Sequence, residues 1–110
     1  ANSVVFSAYG VKMEVKGVKY DSGKPRYDLV PPEALNAVVE VLGFGASKYG
    51  DRDWEKGIER GRVFAAIMRH LWAWWRGEKV DAESGLSHLA HAGCGVFFLL
   101  TFEKRGMLSE

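Results

Sequence analysis

Five side chains able to hold a cation or move a proton, Glu78, Asp81, Glu83, His88 and His91, fall within a stretch of fourteen residues. Carboxylates suit a hard divalent ion such as Mg2+ or Mn2+. Imidazoles shift the preference towards Mn2+, Zn2+, Co2+ or Ni2+, and can instead carry protons or donate from behind a metal ligand. His88 and His91 are three apart, so on a helix they project from one face, with Ser84 one turn before His88 on the same side. The group suits a metal-phosphate site better than a structural zinc. A solvated turn whose histidines cap or pack is the alternative, because a His-x-x-His spacing alone decides little.

Cations and aromatics that would serve a phosphorylated ligand lie elsewhere in the chain. Lys24, Arg26 and Lys48 stand in glycine-bearing segments and are cations of the type that reach triphosphate oxygens. Arg62, Arg69 and Arg76 are seven apart, close to two helical turns, and form one stripe. Such a stripe binds phosphate through charge-assisted hydrogen bonds, or is a solvated face, or pairs with acids of another subunit. Tyr49 and Trp54 are candidates for stacking on a nucleobase. Trp72, Trp74 and Trp75 fit a core or a subunit interface better. His70 falls on the apolar stripe of the same helix and reads as a packing residue. Cys94, in Ala92-Gly93-Cys94-Gly95, reads as a close helix contact with no base beside it. Neither a Gly-x-x-x-x-Gly-Lys-Ser/Thr loop nor a Gly-x-Ser-x-Gly elbow occurs, which removes support from those enzyme classes.

These residues must be positioned by one small domain, since 110 residues with 47% apolar content supply one core. A formal charge of +1 gives no global field for duplex nucleic acid. One cysteine excludes a disulfide framework and fits a reducing compartment, so the cytoplasm is expected. The longest strongly apolar stretch, 96–102, is far below the roughly 20 residues that span a bilayer, and neither membrane nor export is expected.

Alternation of apolar and charged residues from Val11 to Tyr20 predicts a short β arm or hairpin within 1–18, ahead of a single helical domain over 19–110. The stretch 21–28 is a charged Gly/Pro loop. Pro31 and Pro32 followed by Leu35, Val38, Val39 and Leu42 predict a helix over about 32–47. Gly43 and Gly45 weaken that helix by about 1 kcal/mol each relative to alanine, so close approach of another backbone or of a ligand is expected there, close packing being the plainer reading. Residues 48–61 read as a long, substrate-facing connection. A second helix is predicted from about Arg62 to Arg76, with Val63, Phe64, Ile67, Leu71, Trp74 and Trp75 on its apolar face and Gly77 as its stop. After an acidic turn, a last helix continues from about Gly85 to Lys104, stopped by Gly106. Its Val96 to Phe102 segment is apolar on nearly every side and is expected to be covered by neighbours or by another subunit.

Four ordered segments carry a family resemblance. They are Lys19-Tyr-Asp-Ser-Gly-Lys-Pro-Arg-Tyr-Asp-Leu, Phe44-Gly-Ala-Ser-Lys-Tyr-Gly, Arg69-His-Leu-Trp-Ala-Trp, and Gly77-Glu-Lys-Val-Asp-Ala-Glu-Ser-Gly-Leu-Ser-His-Leu-Ala-His. Over about residues 19–104 the chain resembles the phage and bacterial dATP/dGTP diphosphohydrolase N-terminal family, and more loosely the all-α, MazG-like nucleotide pyrophosphohydrolases. The resemblance implies a mainly α protein, a small helical bundle completed by oligomerisation as a homodimer or homotetramer. It implies a Mg2+ (or Mn2+) cofactor and hydrolysis of a purine (deoxy)nucleoside triphosphate to monophosphate and pyrophosphate. The Glu-Glu-x-x-Glu run of the MazG-like proteins is absent, and His88-Leu-Ala-His91 stands where their Glu-x-x-Asp would be. On this reading Glu78, Asp81, Glu83, His88 and His91 hold metal, and Glu83, His88 and Arg69 serve catalysis. Lys24, Arg26, Lys48, Tyr49 and Trp54 bind substrate, and Glu33 and Glu40 are second-rank ligands. Sequestration of a nucleotide without cleavage is the rival expectation, and a helical assembly protein the third.

Overall fold

The structure, a computed structural model, describes residues 3–6, 10, 12–15 and 17–108. Of the arm expected within 1–18, residues 1, 2, 7–9, 11 and 16 lie outside that set; within it, β1 (Ser3–Phe6) and β2 (Lys12–Val15) pair antiparallel, Ser3 opposite Val15. The body is mainly α: α1 (Pro32–Tyr49), α2 (Arg60–Trp75) and α3 (His88–Lys104).

Local chemistry sets each boundary. Pro32 opens α1, and Gly50, at φ 103°, closes it with its N–H on the Ala46 carbonyl at 2.8 Å. The helix thus runs two residues beyond the expected end, and Lys48 and Tyr49 ride on a helical turn instead of a loop. Gly77 and Gly106 terminate α2 and α3 with a different set of bonds. The Gly77 N–H reaches Trp74 and the Glu78 N–H reaches Ala73; the Gly106 N–H reaches Glu103 and the Met107 N–H reaches Phe102, the paired bonds of a left-handed glycine stop. α3 begins at His88 and not near Gly85, because the Ser87 hydroxyl accepts the Ala90 N–H and caps the helix there.

α3 is the central element, with α2 on one side and α1 on the other. Val63 and Ile67 of α2 pack with Ala92 and Phe102, flanked by Trp54, Leu71, Phe98, Leu99 and Leu108. Val41 of α1 packs with Ala90 and Cys94. Two glycines let the helices approach. A Cβ on Gly95 would meet the Ile67 side chain at 2.5 Å, and one on Gly93 would meet Val38 at 3.3 Å. The small-residue patch around Cys94 is therefore the close helix contact that its composition suggests.

One expectation requires correction, and the apolar faces expected to be covered on α2 and α3 are in part open within this chain. A Cβ on Gly43 or Gly45 would meet nothing within 4 Å, so neither makes room for another backbone within this chain. On α2 Val63, Ile67, Leu71 and Ala73 face inward, while Phe64, Trp72 and Trp75 are 58%, 53% and 71% exposed within this chain. On α3, Phe102 is buried, but Val96, Phe97 and Leu100 are about half exposed. The common reason is geometric: two neighbours cover two sides of a helix, and the remaining side stays open. Finally, the 48–61 connection is not structureless. A short turn at Asp53–Lys56 seats Trp54 against Phe98, with ring centroids 4.4 Å apart and planes 18° apart.

Candidate functional site

α2 and the first turn of α3 bring three imidazoles together. His70 comes from α2; His88 and His91 share one face of α3, as their spacing predicts. His70 Nδ1 lies 2.9 Å from His88 Nδ1, and the His70 and His91 rings stack at 4.5 Å with planes 8° apart. His88 is buried, 5% exposed.

The acidic bend folds over this cluster. Val80 and Ser87 face each other in a short antiparallel bridge, the Asp81 N–H bonds to the Leu86 carbonyl at 2.7 Å, and Gly85, at φ 71°, makes the tight turn. That turn aims Ser84 and Asp81 at His91: Ser84 Oγ is 2.7 Å from His91 Nε2, and Asp81 Oδ2 is 3.9 Å from it. On the other side Glu78 Oε2 stands 3.6 Å from His88 Nε2, beyond hydrogen-bond reach, and that buried nitrogen has no partner. Glu83 points outward and is held by Lys48 of α1, whose ammonium also lies over the Tyr49 ring at 5.2 Å.

Burial lowers the His70 imidazole below its ordinary range, and neighbouring His91 and His88 add to this while Asp81 opposes it. Burial lowers His91 too, again against the pull of Asp81. For Asp81 burial works upward, but is outweighed by hydrogen bonds from the Ser84 backbone and side chain and by the charge of His91 and His70, so its carboxyl sits low. The result is an anionic carboxylate beside imidazoles that are neutral at neutral pH.

Next to the cluster opens a cavity of about 900 Å³ between the end of α1, the 50–58 segment and α2. Its lining includes Lys48, Tyr49, Arg69, His70, Glu83 and His91. Cations, an aromatic, a carboxylate and imidazoles thus face one space, which is the inventory needed to grip a phosphorylated aromatic ligand.

The sequence candidates divide accordingly. Lys48, Tyr49, Trp54, Arg69, Glu83 and His91 line the cavity; Trp54 does so with its ring stacked on Phe98. Asp81 and His88 lie in the imidazole cluster behind it. Glu78 approaches His88 alone. Lys24 and Arg26 are in an exposed segment outside the cavity lining, and the Arg26 guanidinium is spent on Asp28 through bonds of 2.8 and 2.7 Å. Glu33 and Glu40 are exposed and outside the lining. Arg62 and Arg76 likewise do not line it, so of the arginine stripe only Arg69 reaches the site.

Sequence reasoning assigned His70 to packing, and the structure places it in the cluster instead. The sign was its position beside Arg69 on a stripe otherwise made of Val63, Ile67 and Trp74, a polar group that an apolar face would have to satisfy. Arg52 was also missed. It lines the cavity with a left-handed backbone, φ 59°, which no composition rule assigns to arginine.

A protein named dATP/dGTP diphosphohydrolase from Salmonella phage PMBT28 is 36% identical to this chain over 83 residues, 76% of this chain. The aligned part is 28% of that protein, so the chain spans well under a third of its relative's length. No solved structure matches the chain. The model of the dATP/dGTP diphosphohydrolase N-terminal family matches residues 14–110, and the chain belongs to that family.

Proposed function

We propose that this chain binds a purine deoxynucleoside triphosphate in the cavity beside α1 and hydrolyses it to the monophosphate and pyrophosphate. The observation that carries the reading is the shared lining of Lys48, Tyr49, Arg69 and Glu83. Tyr49, exposed at the end of α1, offers a ring face to the base, and Lys48 and Arg69 neutralise the phosphates. A triphosphate competes with Glu83 for Lys48. Once Lys48 turns to phosphate, the Glu83 carboxylate is free to take a proton from water as that water forms its bond to the α-phosphorus. The bond from that phosphorus to the bridging oxygen breaks, and Lys48 and Arg69 offset the charge on departing pyrophosphate.

The Mg2+ expected from the family resemblance calls for oxygen donors in octahedral array. Here Glu83 is tied to Lys48, Glu78 faces His88, and the converging donors are mostly imidazole nitrogens. This set does not fit an all-oxygen Mg2+ site.

The reading also takes the protein as a homodimer or homotetramer, supported by the open apolar sides of α2 and α3. No described helix is long and apolar enough to cross a membrane. The test is to incubate wild type and Glu83→Gln with dGTP or dATP, denature, and separate the nucleotides. Wild type is expected to give monophosphate and Glu83→Gln to return the triphosphate while still binding it. Equal turnover by both would end the assignment, and intact triphosphate from both would favour sequestration without cleavage.

A further inference from the structure

The imidazole cluster behind the cavity contains a chemical imbalance. His70 Nδ1 and His88 Nδ1 stand 2.9 Å apart, so a neutral pair has room for one proton between them. If His70 donates it, His88 keeps its own proton on Nε2, a buried donor whose facing acceptor, Glu78 Oε2, stands 3.6 Å away and beyond hydrogen-bond reach. If His88 donates it, Nε2 becomes a buried lone pair facing the Glu78 carboxylate at 3.6 Å. Each tautomer leaves a polar atom unsatisfied at a side chain that is only 6% exposed, an expensive arrangement for a helix start.

A cation would engage both Nδ1 lone pairs at once and select one tautomer of His88. Among the described residues, His70, Asp81 and His88 are the one group of three or more His, Cys, Asp or Glu whose donor atoms all lie within 4.8 Å of one another. Two nitrogens bound to one ion at about 2.1 Å stand about 3.0 Å apart at a right angle and about 3.4 Å apart at the tetrahedral angle, and the 2.9 Å found here lies near the first. With both Nδ1 lone pairs on the ion, each ring carries its proton on Nε2, which fixes His88 as a donor facing the Glu78 carboxylate at 3.6 Å, the carboxylate behind a metal-bound imidazole. His91 stays outside this set, since its Nε2 is engaged by Ser84.

We propose that His70, His88 and Asp81 form a binding site for a first-row transition ion of the Mn2+ to Zn2+ series, with Glu78 orienting His88. The site discriminates against Mg2+ through its two nitrogen donors. It borders the proposed nucleotide cavity without depending on that function.

The probe is Co2+, titrated into the full chain after removal of metals with EDTA and followed by its visible d–d absorption, with Mg2+ in large excess as competitor. One Co2+ per chain is expected, undisturbed by Mg2+. His70→Gln and Asp81→Asn should each abolish the bands while the helical circular dichroism stays, and Glu78→Gln should weaken binding by about tenfold. Should one of the first two variants fail to fold, the other decides. Absence of bands from folded wild type, displacement by Mg2+, or retention of full binding in the folded variants would each overturn the proposal and leave a plain imidazole hydrogen bond. No substrate enters the experiment, so an inactive protein that binds Co2+ leaves this inference standing, and an active one that does not leaves only the proposed function.

Discussion

Glu83 and Lys48 hold each other across the mouth of the cavity, and the account assigns them different tasks. Lys48→Ala is expected to raise KM as well as lower kcat, because its ammonium serves both bound phosphate and the charge on departing pyrophosphate. Glu83→Gln should lower kcat by about 10²–10⁴ with little change in nucleotide binding, since it removes the proton acceptor; steady-state kinetics beside a binding titration separates the two. Cys94 gives a prediction independent of catalysis. Burial pushes its thiol up from 9.0 to about 11, so it should resist alkylation at pH 8 in the native state and react once unfolded. Because the folded value lies above the unfolded one, the contribution to stability is whole below about pH 9 and is lost as the pH rises through about 11. Unfolding midpoints measured across that window should fall in wild type and fall less in Cys94→Ala. Among single residues the sequence disclosed most where type and spacing work together. His88 and His91, three apart, do share a face with Ser84 nearby. The partner His70 was hidden because its helical position looked like core, and its function depends on α3 folding over it.

At the level of elements, the helix ends were legible because they are written locally. Pro32, Gly77 and Gly106 terminate helices by backbone chemistry that needs no tertiary contact. The start of α3 was less so, since Gly85 looked compatible with a helix until the 78–87 bend closed on itself and Ser87 took the cap. Which glycines make room for a neighbour could not be read locally either. Gly43 and Gly45 stand in open space, while Gly95 sits against Ile67. The consequence is a contrast measurable by chemical denaturation. Gly95→Ala should destabilise by about 1–3 kcal/mol through overpacking against Ile67. Gly43→Ala should stabilise by up to about 1 kcal/mol through helix propensity alone.

At the scale of the whole molecule, the buried apolar set among the described residues is small, eight residues centred on α3, and large side chains on α2 and α3 face outward. Phe64, Val96 and Leu100 line one apolar groove of about 590 Å³ between those helices, ending at Leu108. Burying such a surface against a second copy would return roughly 25 cal/mol per Å² of apolar area removed from water. Sedimentation should therefore find a dimer or tetramer, and Val96→Asp should shift it towards monomer with the helices retained. A monomeric wild type at micromolar concentration would remove the oligomer from the account. This level was only half legible from sequence. The all-round apolarity of 96–102 announced that something covers it, but not that α1 and α2 would leave one side bare.

The reaction itself is tested most directly by running it in water enriched in oxygen-18 with dGTP or dATP as substrate, then weighing both products by mass spectrometry. The account predicts one heavy oxygen in the nucleoside monophosphate and none in pyrophosphate, with the label absent when Glu83→Gln replaces wild type. Label in pyrophosphate, or unlabelled triphosphate recovered whole from a folded wild type that binds it, would contradict water attack at the α-phosphorus within this cavity.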